Sequence, residues 1–171
     1  MPFVPTSHVQ KNRRLRFALR VRAGSLHEAY QLLTRIPELQ PLQSFDMLKA
    51  ECNGSAPFCL IAEANWRPAA CAVGYAVGES GFLMCLGGVL PEYRHCGIAH
   101  TLLEEQDCFL SERGYRRIEL RVPLQDEAVF ALLERAGYAR VGVESSRRGK
   151  KLLYEKRLAP RPVPALQPLQ I

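Results

Sequence analysis

Apolar and polar residues alternate along several short stretches of this chain of 171 residues, while other stretches repeat an apolar position every three or four residues. The first pattern predicts β-strands and the second predicts amphipathic helices. Strands are predicted over 15–21, 58–64, 69–77, 82–90, 117–122, 141–145 and 151–157, and helices over 25–36, 45–50, 97–113 and 125–136. This order indicates an α/β (α+β) domain with a mixed, mainly antiparallel central sheet flanked by helices.

Turn and cap residues indicate where several of these elements end. Residues 65–68 and 78–81 are typical of short turns, so the three strands that they connect are predicted to form an antiparallel meander. Ser25 can cap the first helix through its side-chain oxygen. Gly114 stands where a glycine commonly ends a helix, directly after the longest predicted one.

The composition is ordinary for one globular domain, with 47% hydrophobic and 23% charged residues. Residues 1–158 are predicted as that domain, and the proline-rich residues 159–171 as a flexible tail. The N-terminal residues lack a signal-peptide pattern and no apolar stretch reaches membrane-spanning length, so we expect a cytoplasmic protein without a membrane partner. The six cysteines lie far apart without zinc-site spacing, which indicates a reducing compartment and predicts no metal site.

The net charge of +6 admits an anionic partner such as a phosphorylated cofactor. Much of the excess lies in two basic clusters, residues 11–14 and 147–151. Aromatic residues are not interleaved with either cluster, as they would be on a surface that stacks single-stranded bases. A nucleic-acid partner is therefore not favoured.

One segment, residues 88–99, carries the chemistry that the sequence suggests. A predicted strand runs into a short turn, and a long helix begins near Gly97. The first turn of a helix exposes backbone N–H groups and carries a partial positive charge, which together attract anions. Gly97 lets a ligand approach the backbone, Ala99 keeps the next position small, and Arg94 adds a cation at the entrance. These features predict an anion site without naming the anion.

The same segment resembles motif A of the GNAT (N-acetyltransferase) superfamily, whose core is Arg/Gln-x-x-Gly-x-Gly/Ala. The chain reads Val89-x-Pro91-Glu92-Tyr93-Arg94-x-x-Gly97-Ile98-Ala99-x-x-Leu102-Leu103 at that place, and residues 13–158 can be covered by the family's order of elements. The resemblance implies an acetyl-CoA-dependent N-acetyltransferase that acts on a small-molecule or peptide amine, and a homodimer. It implies acetyl-CoA contacts at Val89, Leu90, Pro91, Arg94, His95, Cys96, Gly97, Ile98 and Ala99, and at Asp126, which takes the place of a family asparagine.

The chain departs from the family where a proton donor is usual. Leu133 occupies the position of the tyrosine that protonates the departing thiolate in many members. Tyr138 and Tyr154 are weak candidate substitutes for that acid, and ordinary aromatic packing is the preferred interpretation of both. Glu63 and Glu79 are the candidate bases, although an exposed, solvated carboxylate is the preferred interpretation of each.

Three alternatives remain open from the sequence. The acceptor can be a protein N-terminus or lysine, an aminoglycoside, a polyamine or an amino acid. The chain can instead bind CoA without catalysis, which the leucine at position 133 keeps open. A nucleic-acid-binding module that uses the basic clusters is the third interpretation, and it predicts affinity that falls steeply with salt.

Overall fold

A computed structural model describes residues 9–10, 17–39, 44–53 and 56–160. Its strands are β1 Val9–Gln10, β2 Leu19–Gly24, β3 Phe58–Ala64, β4 Arg67–Val77, β5 Gly81–Val89, β6 Arg117–Pro123, β7 Ala139–Ser146 and β8 Gly149–Arg157. Its helices are α1 Leu26–Leu33, α2 Phe45–Glu51, α3 Ile98–Glu112 and α4 Glu127–Arg135, with 3₁₀ turns at Pro37–Leu39 and Pro91–Tyr93. Across these residues, no helix is both long and apolar enough to cross a membrane.

The described strands form one sheet in the order β1-β2-β3-β4-β5-β6-β8-β7. Every neighbouring pair is antiparallel except β5 and β6, which run parallel. A parallel pair needs a crossover, and α3 provides it. The predicted fold class and the predicted meander of β3, β4 and β5 are thus confirmed.

Local signals explain the helix ends. Ser25 caps α1 by accepting a hydrogen bond from the N–H of Glu28, whose carboxylate accepts one from the N–H of Ser25 in return. Ser44 caps α2 through its hydroxyl oxygen. Gly114 takes a φ of 87° after α3, a left-handed conformation that glycine adopts at little cost.

Alternation along the strands divides the apolar residues between the two faces of the sheet. On one face, Leu32 and Leu33 of α1 and Leu48 of α2 pack against Ile61 and Val73. On the opposite face, helices α3 and α4 cover the sheet with a second set of buried residues, which includes Leu102, Leu103, Leu110 and Leu133. The sheet is therefore the middle of three layers.

Some boundaries differ from those predicted. The strand predicted over 15–21 is β2, Leu19–Gly24, because its register is set by pairing with β3. The pairing strand β1 was not predicted, since two residues carry no periodic signal. The basic cluster 11–14 and most of the predicted tail, residues 161–171, lie outside the described residues.

Candidate functional site

The parallel strands β5 and β6 separate halfway along their length. They pair from Gly81 with Arg117 as far as Met84 with Leu120. Beyond that pair β5 continues to Val89 and β6 to Pro123, without further pairing between them. A split therefore opens between the C-terminal halves of the two strands.

A β-bulge lies where the split begins. Val73 of β4 pairs with Leu86, but the next residue, Gly74, pairs with Met84, so Cys85 is an extra residue on β5. A Cβ atom at Gly74 would lie 2.3 Å from the Phe82 ring and 2.5 Å from the Leu83 carbonyl oxygen, so only glycine fits. Bulges bend a strand, and this one turns β5 away from β6.

The bulge leaves backbone groups of β5 directed at the split. The N–H of Leu90 donates to the Ala69 carbonyl oxygen on the β4 side. Backbone groups alternate between the two edges of a strand, so Gly87 and Val89 direct theirs towards the edge that β6 has left. Val89, at which an acetyl-CoA contact was predicted, thus directs its backbone groups to the open edge of β5.

Two helices begin at the open end of the split and on the same face of the sheet. Helix α3 follows the end of β5, and α4 follows Asp126 after the end of β6. In the turn before α3, His95 has a φ of 61° and Gly97 a φ of 79°. The first intrahelical bond of α3 runs from the N–H of Thr101 to the Gly97 carbonyl oxygen, so the three preceding helical N–H groups are without an intrahelical acceptor. This face of the split therefore suits an anion.

Arg94, predicted to add a cation at the entrance of the turn, is paired with a carboxylate in the structure. Its Nη1 and Nη2 atoms donate to the two carboxylate oxygens of Glu38 at 2.6 and 2.7 Å, and its Nε donates to the Val89 carbonyl oxygen at 3.2 Å. The hydrogen bond from Arg94 lowers the pKa of Glu38 to about 2. The charge of Arg94 is thus compensated, and its side chain fixes the end of β5 to the segment after α1.

Glu63 does not stand as a candidate base. It is 5% exposed on β3, and its two oxygens accept from Arg20 Nε at 2.9 Å and Arg22 Nε at 2.7 Å. Arg22 also donates to Glu28, which belongs to the cap of α1. A buried carboxylate whose two oxygens are both held by arginines is a structural ion pair and offers no free oxygen to a substrate.

Glu79 lies at the wrong end of the sheet to act as a base. It is exposed in the turn that precedes β5, whereas the split opens at the far end of that strand. Val89 lies ten positions after Glu79, which corresponds to roughly 30 Å of extended chain. Here the sequence interpretation as a solvated carboxylate was correct.

Tyr138 is also withdrawn from the split. It is 3% exposed, and its hydroxyl lies 3.5 Å from Asp107 Oδ1 and 3.5 Å from Gln106 Nε2, more than two turns along α3 from Gly97. Burial, followed by the charge of Asp107, raises its pKa well above the ordinary value of 10. The phenol is therefore unsuited to proton donation, and Lys156, which donates to Asp107, completes a structural network.

Leu133, at the position of the family's proton-donating tyrosine, and Tyr154, a candidate substitute for it, are both buried in the core. Leu133 is 1% exposed and packs in the cluster beneath α4. Tyr154 is 2% exposed and its ring stacks on Phe130 at 6.0 Å. Neither Tyr138 nor Tyr154 thus has an accessible hydroxyl.

A cavity of about 630 Å³ lies on the opposite face of the sheet, between α2 and strands β4, β5 and β6. Its lining includes Tyr75, Leu83 and five charged side chains: Glu51, Arg117, Glu119, Arg121 and Arg148. The sequence interpretation named none of these charges as catalytic or cofactor-binding. The alternation of charge along 117–121 could have indicated a charged sheet face, but only the register places Arg117 and Glu119 on the paired half of β6 and Arg121 at the beginning of the split.

Comparison with known proteins gives a consistent family and fold. The family described as "Acetyltransferase (GNAT) family" matches residues 26–138. The ribosomal-protein-S18-alanine N-acetyltransferase of Escherichia coli superposes with a TM-score of 0.67 at 20% identity, over 82% of this chain and 94% of that one. A spermidine N-acetyltransferase chimera that includes the Vibrio cholerae enzyme gives 0.67 at 18% identity, over 82% and 95%. An aminoglycoside 6′-N-acetyltransferase complexed with coenzyme A gives 0.62 at 17% identity, over 80% and 92%.

Proposed function

Because the chain belongs to the acetyltransferase (GNAT) family, we propose that it transfers an acetyl group from acetyl-CoA to an amine. The observation that carries the proposal is the split between β5 and β6, with two helix N-termini at its open end. The pyrophosphate of CoA is an anion that suits the N–H groups of the turn before α3. The part of acetyl-CoA between the pyrophosphate and the thioester would then lie along the open edge of β5.

The fit of the turn to a pyrophosphate rests on its backbone. A Cβ atom added at Gly97 would meet no other atom within 4 Å, so space remains on the outer side of this turn. We assign the cradle to the backbone of residues 94–99, and the strand contacts to Val89, Leu90 and Pro91. Asp126, half-buried at the start of α4, lies at the open end of β6 and is assigned a lesser contact.

The proposed reaction is direct attack of the neutral amine on the thioester carbonyl. The new C–N bond forms, the C–S bond breaks, the attacking nitrogen loses a proton to water, and the thiolate of CoA leaves and takes up a proton from water. We assign to the N–H of Val89 the hydrogen bond that stabilises the oxyanion. With Leu133 buried and Tyr138 withdrawn, solvent protonates the thiolate, which is a tolerable leaving group because a thiol has a pKa of about 8.5. Positioning of the two substrates then supplies most of the rate gain.

All six cysteines are free thiols, which supports our proposal of a cytoplasmic location. The predicted homodimer remains a prediction from the family resemblance.

The test is thermal unfolding with and without acetyl-CoA, with ATP and NAD as anionic controls. A ligand at a hundred times its dissociation constant adds about 2.7 kcal/mol. For a domain of this size the midpoint should rise by roughly 5–10 °C with acetyl-CoA alone. Equal small shifts with all three ligands would indicate a generic anion site, and no shift would contradict the proposal.

A matched pair of variants locates the site. Ala99→Asp adds a negative charge in the first turn of α3, where aspartate suits the helix but repels a pyrophosphate. We expect normal unfolding without ligand and loss of the acetyl-CoA shift. His27→Asp adds the same charge at the equivalent position of α1, on the other face, and should leave the shift intact.

A second candidate function is CoA binding without turnover, favoured by the burial of Leu133 where a tyrosine is usual. It predicts the same thermal shift as the enzyme. The release of CoA thiol in the presence of amine acceptors separates the two.

A further inference from the structure

The open edge of β5 ends at a carbonyl group that already has a partner. The N–H of Leu90 points towards β4, so both backbone groups of Val89 point towards the split. Arg94 Nε donates to the Val89 carbonyl oxygen at 3.2 Å. In the described part of the chain, β6 pairs with β5 no further than Met84 and therefore does not reach the Val89 N–H. Of the two backbone groups, the N–H is the one that a ligand in the split can use.

A carboxylate holds the Arg94 side chain against this carbonyl. Arg94 Nη1 and Nη2 donate to the two oxygens of Glu38 at 2.6 and 2.7 Å, which makes a bidentate pair. Such a pair fixes both the plane and the direction of the guanidinium group. Because Nε belongs to the same rigid plane, Glu38 also fixes the hydrogen bond from Nε to Val89. The hydrogen bond from Arg94 lowers the pKa of Glu38 to about 2, so the carboxylate is charged in any assay near neutral pH.

Packing places the Glu38 carboxylate at the end of β5. A Cβ atom at Gly88 would lie 2.7 Å from Ile36 Cδ1 and 3.8 Å from Leu39 Cδ1, so both side chains lie over Gly88 on the α1 face of the sheet. Ile36 is 3% exposed and belongs to the core beneath α1. Glu38 stands between these two apolar residues in the sequence. The Arg94 side chain therefore runs from the turn before α3, along the open edge of β5, to a fixed point on the opposite face.

A flexible ligand on an open strand edge has more than one way to pair with it. Backbone groups that point to the same edge recur at every second residue, about 7 Å apart. The arm of acetyl-CoA carries amide groups that can pair at Gly87 or at Val89. If an amide N–H of the arm took the Val89 carbonyl, the thioester would be displaced from the Val89 N–H that is assigned to its oxygen. Arg94 occupies that carbonyl and so excludes this second register.

We propose that Glu38 is a positioning residue for acetyl transfer, because it fixes Arg94 on the Val89 carbonyl and thereby limits acetyl-CoA to one register on β5. This inference rests on the proposed function and adds to it how the thioester is aligned. Neither side chain touches the reacting atoms: Arg94 acts through the Val89 carbonyl, and Glu38 acts through Arg94. The backbone contact assigned to residue 94 in the cradle is a separate role.

The first experiment measures amide hydrogen exchange by NMR, residue by residue, with acetyl-CoA as the probe. In the wild type, acetyl-CoA should slow the exchange of the Val89 N–H and of the N–H groups at the start of α3. Glu38→Gln preserves the size of the side chain but loses the charged pair with Arg94. One additional hydrogen bond favours the second register by about tenfold. Protection of Val89 should therefore fall by about tenfold, while protection at the start of α3 persists.

Glu92→Gln is the matched control for this variant. Arg35 Nη2 lies 2.9 Å from Glu92 Oε1, so this second ion pair joins the same two segments of the chain, whereas the hydrogen bond to Val89 comes from Arg94. The control should leave the protection of Val89 unchanged. Equal protection of Val89 in the two variants would overturn the inference. Protection at the start of α3 without any at Val89 in the wild type would overturn it as well.

Steady-state CoA release gives a second readout, with hydroxylamine as a small amine that needs no acceptor pocket. An arm bound in the second register is unproductive, so Glu38→Gln should lower kcat and the KM for acetyl-CoA together by about tenfold and leave kcat/KM nearly unchanged. A merely structural loss at the end of β5 would lower kcat/KM instead. A lower KM with an unchanged kcat would mean that only the charge near the pyrophosphate had changed, and would contradict the inference.

A double variant tests whether Glu38 acts through Arg94. Arg94→Met keeps the backbone of the turn and removes the donors, so it should lower kcat as Glu38→Gln does. Adding Glu38→Gln should not lower kcat further, because both changes release the same carbonyl, and additive losses would count against the inference. If acetyl-CoA protects no amide of the wild type, the proposed function fails instead. If the wild type does not acetylate hydroxylamine, the exchange experiment decides.

Discussion

The two halves of strand β5 are continuous in sequence but differ in strand pairing and in burial. Residues 81–83 are buried and pair on both sides, with β4 and with β6. Residues 86–89 pair with β4 alone and are half-buried, as is Cys85, the unpaired residue of the bulge. Within one strand, the first half contributes side chains to the core, and the second half has an unpaired backbone edge that can bind a ligand.

This difference shows how one sheet provides both stability and a site. The closed half holds Phe82 between Phe58 and Tyr115, with ring centroids 6.3 and 5.5 Å away. The open half is held by side chains outside the sheet, since Arg94 joins the Val89 carbonyl to Glu38. Stability and binding should therefore respond to substitutions in different halves.

The largest effect is expected in the closed half. Phe82→Ala removes a side chain that is 2% exposed, and should lower the free energy of unfolding by about 3–5 kcal/mol. Leu86→Ala, in the half-buried open part, should cost less than half of that, because less surface leaves the core. Urea denaturation measures both. Equal losses would mean that the two halves are equally packed.

The next effect concerns the turn that follows the open half. Gly97→Ala forces a side chain into a φ of 79° and should cost about 1–2 kcal/mol of stability. The new methyl group also points into the space assigned to the pyrophosphate, so the affinity for acetyl-CoA should fall. Gly114→Ala imposes the same strain at φ 87°, at the other end of α3, and again meets no atom within 4 Å.

Denaturation and calorimetry separate strain from binding in these two glycine variants. Both should lose similar stability, and only Gly97→Ala should bind acetyl-CoA more weakly. A loss of affinity in Gly114→Ala as well would show that strain in α3, and not the position of the methyl group, controls binding.

The smallest effect is the acid sensitivity of the contact that holds the open half. The folded pKa of Glu38, about 2, lies below its ordinary value of 4.5, because Arg94 donates to its charged form. The unfolded state therefore binds more protons between these values, and the stability that Glu38 contributes is present above pH 4.5 and is lost as the pH falls towards 2. Glu38→Gln should lack this part of the acid dependence.

Unfolding of the wild type and of Glu38→Gln, compared at pH 6 and pH 2.5, tests this contact. The stability difference between them should shrink at the lower pH. Glu92→Gln, which breaks the exposed pair between Arg35 and the same turn, controls for a general loss of charge. A difference that stays constant with pH would contradict the role given to Glu38.

Much of the fold followed from local patterns. The capping box of Ser25 and Glu28, the glycine after α3 and the short turns of the meander all depend on residues a few positions apart. The turn before α3 was predicted for the same reason, because the motif from Arg94 to Ala99 is contiguous. The surroundings of the candidate base Glu63 were not predicted. They depend on Arg20 and Arg22, which lie more than forty residues away in the sequence.

By itself, the sequence determined the order of the elements, the three-strand meander and the helix start that suits an anion, because each arises from interactions between near neighbours. Only the tertiary structure decided where β5 leaves β6, since this depends on Gly74 of one strand meeting Phe82 of the next. It likewise decided that Arg94 is bound by Glu38, that Tyr138 is buried, and that the charges of β6 line a cavity beside the split. Those outcomes depend on register and on contacts across the sheet, which no local pattern specifies.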